Sequence, residues 1–117
     1  MDNDQFIELV RLLVSKLGMQ AVKQNITKPA GRSPQAKYLV MSSFYNSRNN
    51  EEKEIVDLII KESVDTAIFQ FLCMLDGVIA IENEKEGGLK LYYESNSKRV
   101  LINDPDHDYL HDIFKSE

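Results

Sequence analysis

Tryptophan is absent from this sequence of 117 residues, and cysteine occurs once, histidine twice, proline three times and glycine five times. A single cysteine cannot close an internal disulfide, and this sparse cysteine usage is typical of a reducing compartment. No apolar run approaches the roughly 20 residues that cross a bilayer. Residues 1–4 are acidic where a signal peptide is basic. We therefore expect a cytoplasmic protein that does not bind membranes.

The remaining composition is that of a globular protein. Hydrophobic residues make up 43% of the chain and charged residues 28%, which are ordinary values for a folded domain. A chain of this length buries roughly two-thirds of the surface that its unfolded form exposes. We predict a single domain over residues 1–117 that folds without a disulfide or structural metal, and we expect no cofactor.

Charge is distributed unevenly along the chain. The formal net charge is −5, yet no carboxylate occurs between Leu9 and Asn50, whereas residues 49–86 contain ten acidic residues and three lysines. Such asymmetry bears on partners and solubility rather than on the fold. Either the two halves neutralise each other in the folded protein, or an acidic surface is available to a basic partner.

The N-terminal half predicts one helix followed by a loop. Asn3 is a suitable N-cap for a helix over residues 4–17, and Gly18 is a suitable end for it. Residues 27–37 contain two prolines and a glycine, which predicts an exposed loop. Residues 38–45 are apolar and aromatic, and their length allows either a short helix or a strand.

The longest element is predicted to begin after Asn49. Asn49 and Glu52 have the spacing of a capping box, and neither Gly nor Pro occurs from there to Leu75. Apolar residues lie on every side of this helix, which is typical of a buried central helix. Asp76 and Gly77 either end this helix or are a tolerated break in it. Residues 78–82 are expected to continue as helix, with a strand as the alternative.

The C-terminal part predicts a hairpin and a last helix. Residues 89–94 and 99–103 are rich in aromatic and β-branched residues and flank a turn-prone segment, which indicates a β-hairpin. Asp104 and Pro105 have the residue types that begin a helix, here expected to end near Phe114. The predicted fold class is α+β and mostly helical, with a long buried central helix, a C-terminal β-hairpin and a final short helix.

Residue types that carry chemistry do not form a catalytic set. His107 and His111 have the spacing of two neighbours on one helix face, but the sequence has no third histidine and lacks the zinc-protease pattern. Cys73 lies within an apolar run, which favours a buried core thiol. We expect no catalytic residue and no metal site. A small hydrolase or transferase that uses the acidic residues or the histidines is the enzyme alternative.

The basic segment over residues 23–48 supports a second alternative. Lys28, Arg32 and Lys37 lie near three aromatic residues in the sequence, Tyr38, Phe44 and Tyr45. Basic and aromatic side chains together bind single-stranded nucleic acid. The chain as a whole has a pI near 5.0, whereas nucleic-acid-binding domains are usually basic. A small nucleic-acid-binding or regulatory protein is therefore the alternative and not the favoured interpretation.

An acidic stripe along the predicted central helix favours protein binding. Steps of three and four residues place six side chains on one face: Leu58, Glu62, Asp65, Phe69, Leu72 and Asp76. Buried carboxylates are costly unless they are paired, so these must meet basic groups, reach water or face a partner. Pairing with Arg11, Arg48 or Arg99 is the internal alternative. We predict that Glu62, Asp65, Phe69 and Asp76 face outward and bind a basic protein, with Phe69 and Leu72 as apolar anchors among the charges.

Three stretches resemble a known class of proteins: residues 71–78 (FLCMLDGV), 91–93 (LYY) and 109–114 (YLHDIF). Together with the small size, acidity and low cysteine content, they resemble the immunity proteins of bacterial toxin–immunity and contact-dependent inhibition systems. The resemblance implies a protein that binds one cognate toxin domain, often a basic nuclease, and blocks it without catalysis. A homodimer through the tyrosines of the hairpin is a further alternative.

Overall fold

A computed structural model describes residues 1–81 and 87–116. The chain divides into two compact units, one formed by Met1–Leu12 with Thr66–Glu117 and the other by Leu13–Asp65. The single domain over residues 1–117 stays a prediction. The elements are α1 (Asn3–Leu9), a π-helical segment (Val10–Lys16), α2 (Leu17–Thr27), α3 (Ala36–Asn46), α4 (Asn50–Leu75), β1 (Tyr92–Ser95), β2 (Lys98–Leu101) and α5 (Leu110–Lys115). This mostly helical architecture with a hairpin and a short last helix confirms the predicted α+β class.

The first helix is longer than predicted and begins one residue earlier. Asp2, not Asn3, is the N-cap, and its side chain accepts a hydrogen bond from the backbone N–H of Gln5 in a reciprocal capping box. Helical backbone continues through the π segment and past Gly18 to Thr27. Gly18 does not end the helix because apolar residues at helical spacing continue beyond it, and one of them, Ile26, is buried.

Residues 38–45 belong to a helix. They form most of α3, and Tyr45 is its buried residue. The preceding residues 28–35 lie outside regular structure, so the loop predicted for residues 27–37 is confirmed within about two residues at each end.

Helix α4 begins as predicted. The backbone N–H of Glu52 donates to Asn49 Oδ1 at 2.8 Å, and the backbone N–H of Asn49 donates to Glu52 Oε1 at 3.0 Å. These two bonds satisfy donors that the first turn of a helix otherwise leaves unpaired. The predicted capping box is therefore confirmed.

The continuation of α4 beyond Leu75 was predicted incorrectly. Gly77 has a φ of +78°, its N–H donates to the carbonyl of Met74 at 3.2 Å, and the N–H of Val78 donates to the carbonyl of Cys73 at 3.1 Å. This pair of bonds is a Schellman motif, which ends a helix at a left-handed glycine. Residues 78–81 are neither helix nor strand, and residue 82 lies outside the described residues.

Burial along α4 also differs from the prediction. Leu72 and Cys73 are buried, but Ile55, Leu58 and Ile59 are 57%, 67% and 59% exposed. Apolar residues on all sides of a helix indicate burial only where neighbours cover every side, and the sequence pattern does not reveal those neighbours. The expectation of an entirely buried central helix is therefore wrong for these three residues.

The unit that contains the chain termini has a small apolar core. Its centre consists of Ile7, Leu72, Ile102 and Leu110. Strands β1 and β2 are antiparallel, with Tyr92 opposite Leu101 and Ser95 opposite Lys98. This confirms the hairpin, with shorter strands than predicted. Ile102 directly follows β2 and is 2% exposed, so the hairpin is attached to the helices by the burial of this side chain.

The last helix begins later than predicted. Asp104 forms a turn in which its Oδ1 accepts from the backbone N–H of Asp106 and its carbonyl accepts from the N–H of His107. The residue types Asp and Pro suit turns as well as helix starts, and here the turn prevails. Helix α5 begins at Leu110, and the side chain of its N-cap residue, Tyr109, provides no capping hydrogen bond.

Candidate protein-binding face on helix α4

The four residues predicted to bind a partner belong to different units. Glu62 and Asp65 are in the unit Leu13–Asp65, and Phe69 and Asp76 are in the unit that contains both termini. Each side chain is placed by its helix, but the groups around it determine whether its charge is available to a partner.

Asp76 does not face outward. Its side chain is 2% exposed, its Oδ1 accepts from the backbone N–H of Leu110 at 3.1 Å, and its Oδ2 accepts from the backbone N–H of His111 at 2.8 Å. The His111 Nδ1 lies 2.6 Å from the same Oδ2. Asp76 thereby caps the first turn of α5, the position that the Tyr109 side chain leaves uncapped. The outward orientation predicted for Asp76 is therefore corrected. The anchor role predicted for Leu72 is corrected too, because Leu72 is 2% exposed and belongs to the core of its unit.

Phe69 contacts groups of its own unit. Its ring meets the His111 ring edge to face, with centroids 5.6 Å apart, and the Lys115 Nζ lies 5.4 Å from its centroid. The ring is half-buried. Because one side of Phe69 already packs on His111, only part of its surface remains for a partner, and its predicted role in binding stays a prediction.

Asp65 is held by two donors. The Ser15 hydroxyl and the Lys61 ammonium donate to its two carboxylate oxygens, the latter at 2.8 Å. Burial opposes its ionisation, but these two hydrogen bonds outweigh that effect and place the pKa of Asp65 below its usual value. Ser15 is itself buried. Asp65 therefore connects the π segment with α4, and binding of a partner by Asp65 stays a prediction.

The arginines considered as internal partners contact other groups. Arg11 donates to the carbonyls of Ile113 and Phe114 at 2.6 and 3.1 Å, at the C-terminal end of α5. The other two arginines form ion pairs with glutamates. Arg99 Nε lies 3.1 Å from Glu94 Oε1, and Arg48 Nη1 lies 3.8 Å from Glu52 Oε2. Two carboxylates of the predicted stripe therefore have partners within the chain, but these partners are not arginines. Asp76 contacts His111, and Asp65 contacts Lys61.

Glu62 belongs to a different surface, which we call the α4 face. It consists of exposed side chains on the outer side of the first half of α4: Glu51, Ile55, Leu58, Ile59 and Glu62. Steps of four, three and four residues from Glu51 to Glu62 place an acidic residue at each end and apolar residues between. The α4 face therefore combines exposed apolar area with negative charge.

The opposite side of the same half of α4 faces its own unit. Asp57 Oδ2 accepts from the Lys23 ammonium at 2.7 Å, and Asp57 Oδ1 accepts from the Tyr45 hydroxyl at 3.1 Å. The hydrogen bonds to Asp57 and Tyr45 raise the pKa of Lys23. These contacts orient α4 in its unit with Ile55, Leu58 and Ile59 on the outside.

Sequence reasoning assigned these three apolar residues to the core and missed them as surface residues. The sequence does contain a signal for their exposure: Glu51 and Glu62 flank these apolar residues on one face of the helix. Carboxylates at both ends of an apolar patch are rarely buried. The acidic stripe that was predicted lies partly on a neighbouring side of the helix, where Asp65 and Asp76 have internal partners.

The two histidines differ in exposure, and the cysteine is buried. His107 is exposed in the turn before α5, with its Nε2 3.7 Å from Asp104, whereas the His111 side chain is only 14% exposed. Within residues 1–81 and 87–116, no three His, Cys, Asp or Glu side chains are grouped to hold a metal ion. Cys73 is buried, which raises the pKa of its thiol together with the charges of Asp76 and Asp112. This confirms the core position predicted for Cys73.

The chain matches no protein-family model, and the comparisons with curated proteins and with solved structures found no similar protein. In the described part of the chain, none of the helices has the combination of length and hydropathy that spanning a bilayer requires.

Proposed function

We propose that this protein is an inhibitor that binds a basic protein partner through the α4 face, in the manner of an immunity protein that neutralises a cognate toxin nuclease domain. It acts in the cytoplasm, as a binding protein rather than as an enzyme. The resemblance of residues 71–78, 91–93 and 109–114 to immunity proteins is consistent with this proposal.

The observation that carries the proposal is the exposure of Ile55, Leu58 and Ile59 between Glu51 and Glu62. Burying one such side chain in an interface contributes about 1.5–3 kcal/mol before the costs of association. Apolar anchors at the centre of an interface contribute most of the affinity, while charges at its rim increase the association rate and select the partner. The α4 face has both parts in that arrangement.

The sign of the charge indicates the class of partner. A nuclease must hold phosphates, so its substrate site is positively charged. A helix with carboxylates at both ends of an apolar patch fits such a site and excludes nucleic acid from it. Inhibition then requires only occupancy of the site, and no reaction on the inhibitor.

The proposal is tested with the C-terminal domain of the protein encoded immediately upstream of this gene. We expect the wild-type chain to form a complex with that domain and to abolish its nuclease activity. Leu58→Asp and Glu62→Lys each place an unfavourable group in the interface, and each should weaken inhibition at least about tenfold.

Glu8→Lys is the matched control, because Glu8 is an exposed carboxylate on α1 and lies outside the α4 face. This variant should inhibit as the wild type does, and circular dichroism should show all three variants folded. Failure of the wild-type chain to bind the upstream domain would contradict the proposal. Equal inhibition by the wild type, Leu58→Asp and Glu62→Lys would remove the α4 face as the binding site.

A further inference from the structure

A second helix face with exposed apolar side chains lies in the same unit as the α4 face and has the opposite charge. We call it the α3 face; it consists of Lys37, Val40, Phe44 and Arg48. Val40 and Phe44 are 69% and 55% exposed, Lys37 is exposed in the first turn of α3, and Arg48 is half-buried just beyond its last turn. On the other side of α3, Tyr45 is buried.

The two faces have the same pattern of residue types. On α3 two apolar side chains lie between two basic ones, and on α4 three apolar side chains lie between two acidic ones. Glu51 and Glu62 lie about 16 Å apart along the axis of α4. Lys37 and Arg48 are separated by the same number of residues, and Arg48 lies two residues beyond the end of α3. When two such helices lie side by side, charges of opposite sign meet at both ends while the apolar side chains meet between them.

We propose that the α3 face of one copy of this chain packs on the α4 face of a second copy. Because both faces belong to the unit Leu13–Asp65, a two-fold axis allows each copy to supply its α3 face to the other's α4 face. Such an exchange closes the assembly as a dimer and leaves neither face exposed. This inference deepens the proposed function and rests on it in one respect: self-association covers the α4 face, so a basic partner must compete with the dimer for it.

A second copy fits the α3 face better than a nucleic acid does. Stacking of bases requires free aromatic ring faces, but the Arg48 guanidinium carbon lies 4.7 Å from the Phe44 ring centroid and the Lys37 Nζ lies 5.0 Å from that of Tyr38. The exposed side chains Leu39, Val40 and Met41 beside them are aliphatic. An aliphatic patch between two cations suits an apolar helix that ends in carboxylates, which is what α4 presents.

The experiment is a charge exchange followed by sedimentation equilibrium, with no other protein present. We expect the wild-type chain to dimerise. Two double variants, Lys37→Glu/Arg48→Glu and Glu51→Lys/Glu62→Lys, should each dimerise at least about tenfold more weakly, because each brings like charges together. An equal mixture of the two should recover the dimer, since in a mixed pair every α3 face again opposes an α4 face of opposite charge.

Recovery in the mixture also shows that both double variants are folded, and Glu8→Lys serves as the control that should dimerise like the wild type. A monomeric wild type would overturn the inference, and so would a mixture that stays monomeric. Retention of the monomeric chain on single-stranded DNA, lost in Lys37→Glu/Arg48→Glu, would assign the α3 face to nucleic acid instead. The partner is absent from this experiment, so a failure here leaves inhibition of the upstream domain to be decided by its own assay.

Discussion

At the scale of single residues, the carboxylate of Asp76 determines how α5 is held. An isolated helix of six residues is too short to be stable in water, so α5 depends on its surroundings. Asp76 accepts the N–H groups of Leu110 and His111 at its start, and Arg11 donates to the carbonyls of Ile113 and Phe114 at its end. Side chains from other elements thus satisfy both ends of α5.

Replacing Asp76 with Ala should lower the free energy of unfolding by about 2–4 kcal/mol, because it leaves buried N–H groups and the His111 ring without their acceptor. Urea denaturation measures the change. Asp108→Ala is the control, since Asp108 is exposed and the bond described for it uses its backbone carbonyl. A loss for Asp76→Ala no larger than that for the control would contradict the capping role.

Gly77 is a second residue whose role is conformational. Its φ of +78° is costly for any residue with a Cβ. Gly77→Ala should therefore lower the free energy of unfolding by about 1–2 kcal/mol, again measured in urea. Gly88→Ala should cost much less, because no positive φ is found at Gly88 and no atom lies within 4 Å of a Cβ built there. Equal costs would show that the Schellman turn does not stabilise the end of α4.

At the scale of elements, local signals predicted the helices and strands better than their limits. The capping box of Asn49 and Glu52 uses side chains three residues apart, so the start of α4 follows from the sequence alone. Gly18 was predicted to end a helix and Asp104 to begin one, and both predictions were wrong. Glycine occurs within helices as well as at their ends, and aspartate suits turns as well as helix starts, so packing determines which structure forms. Gly77 carried a valid stop signal, which the helical spacing of Leu72, Leu75 and Ile79 obscured.

The candidate site was predicted less well, because exposure depends on contacts between elements. The spacing of α4 placed Glu62, Asp65, Phe69 and Asp76 along one stripe, but it could not show that Asp76 meets α5 or that Asp65 meets Ser15. Those partners are distant in sequence. The same limitation hid the exposure of Leu58, which the sequence does not distinguish from a buried leucine.

The contact of Asp65 with the π segment and with Lys61 gives α4 a pH dependence. The pKa of Asp65 is lower in the folded protein than its usual value, so its contribution to stability is complete above about pH 5 and is lost as the pH falls through the folded pKa. The difference in unfolding free energy between the wild type and Asp65→Asn should shrink between about pH 5 and pH 2. A difference that stays constant over this range would show that the charge of Asp65 does not stabilise the fold.

At the scale of the whole molecule, charge and exposed apolar area occur together in the unit Leu13–Asp65. Its α4 face is acidic and its α3 face is basic, and apolar side chains occupy the centre of each. The unit that contains the termini has the more continuous core, formed around Ile7, Leu72 and Leu110. The surfaces proposed for binding and for self-association therefore lie in one unit, and the buried Asp76–His111 pair lies in the other.

Whether Glu51 and Glu62 attract a basic protein is decided by the salt dependence of association with the proposed partner domain. Exposed charges are screened over about 10 Å at 0.1 M salt and about 3 Å at 1 M, so steering by Glu51 and Glu62 predicts an association rate constant that falls steeply with added salt. For Glu51→Lys/Glu62→Lys, stopped-flow mixing should show slower association that salt no longer retards. Association at the same rate by the wild type and this variant, at every salt concentration, would contradict the account.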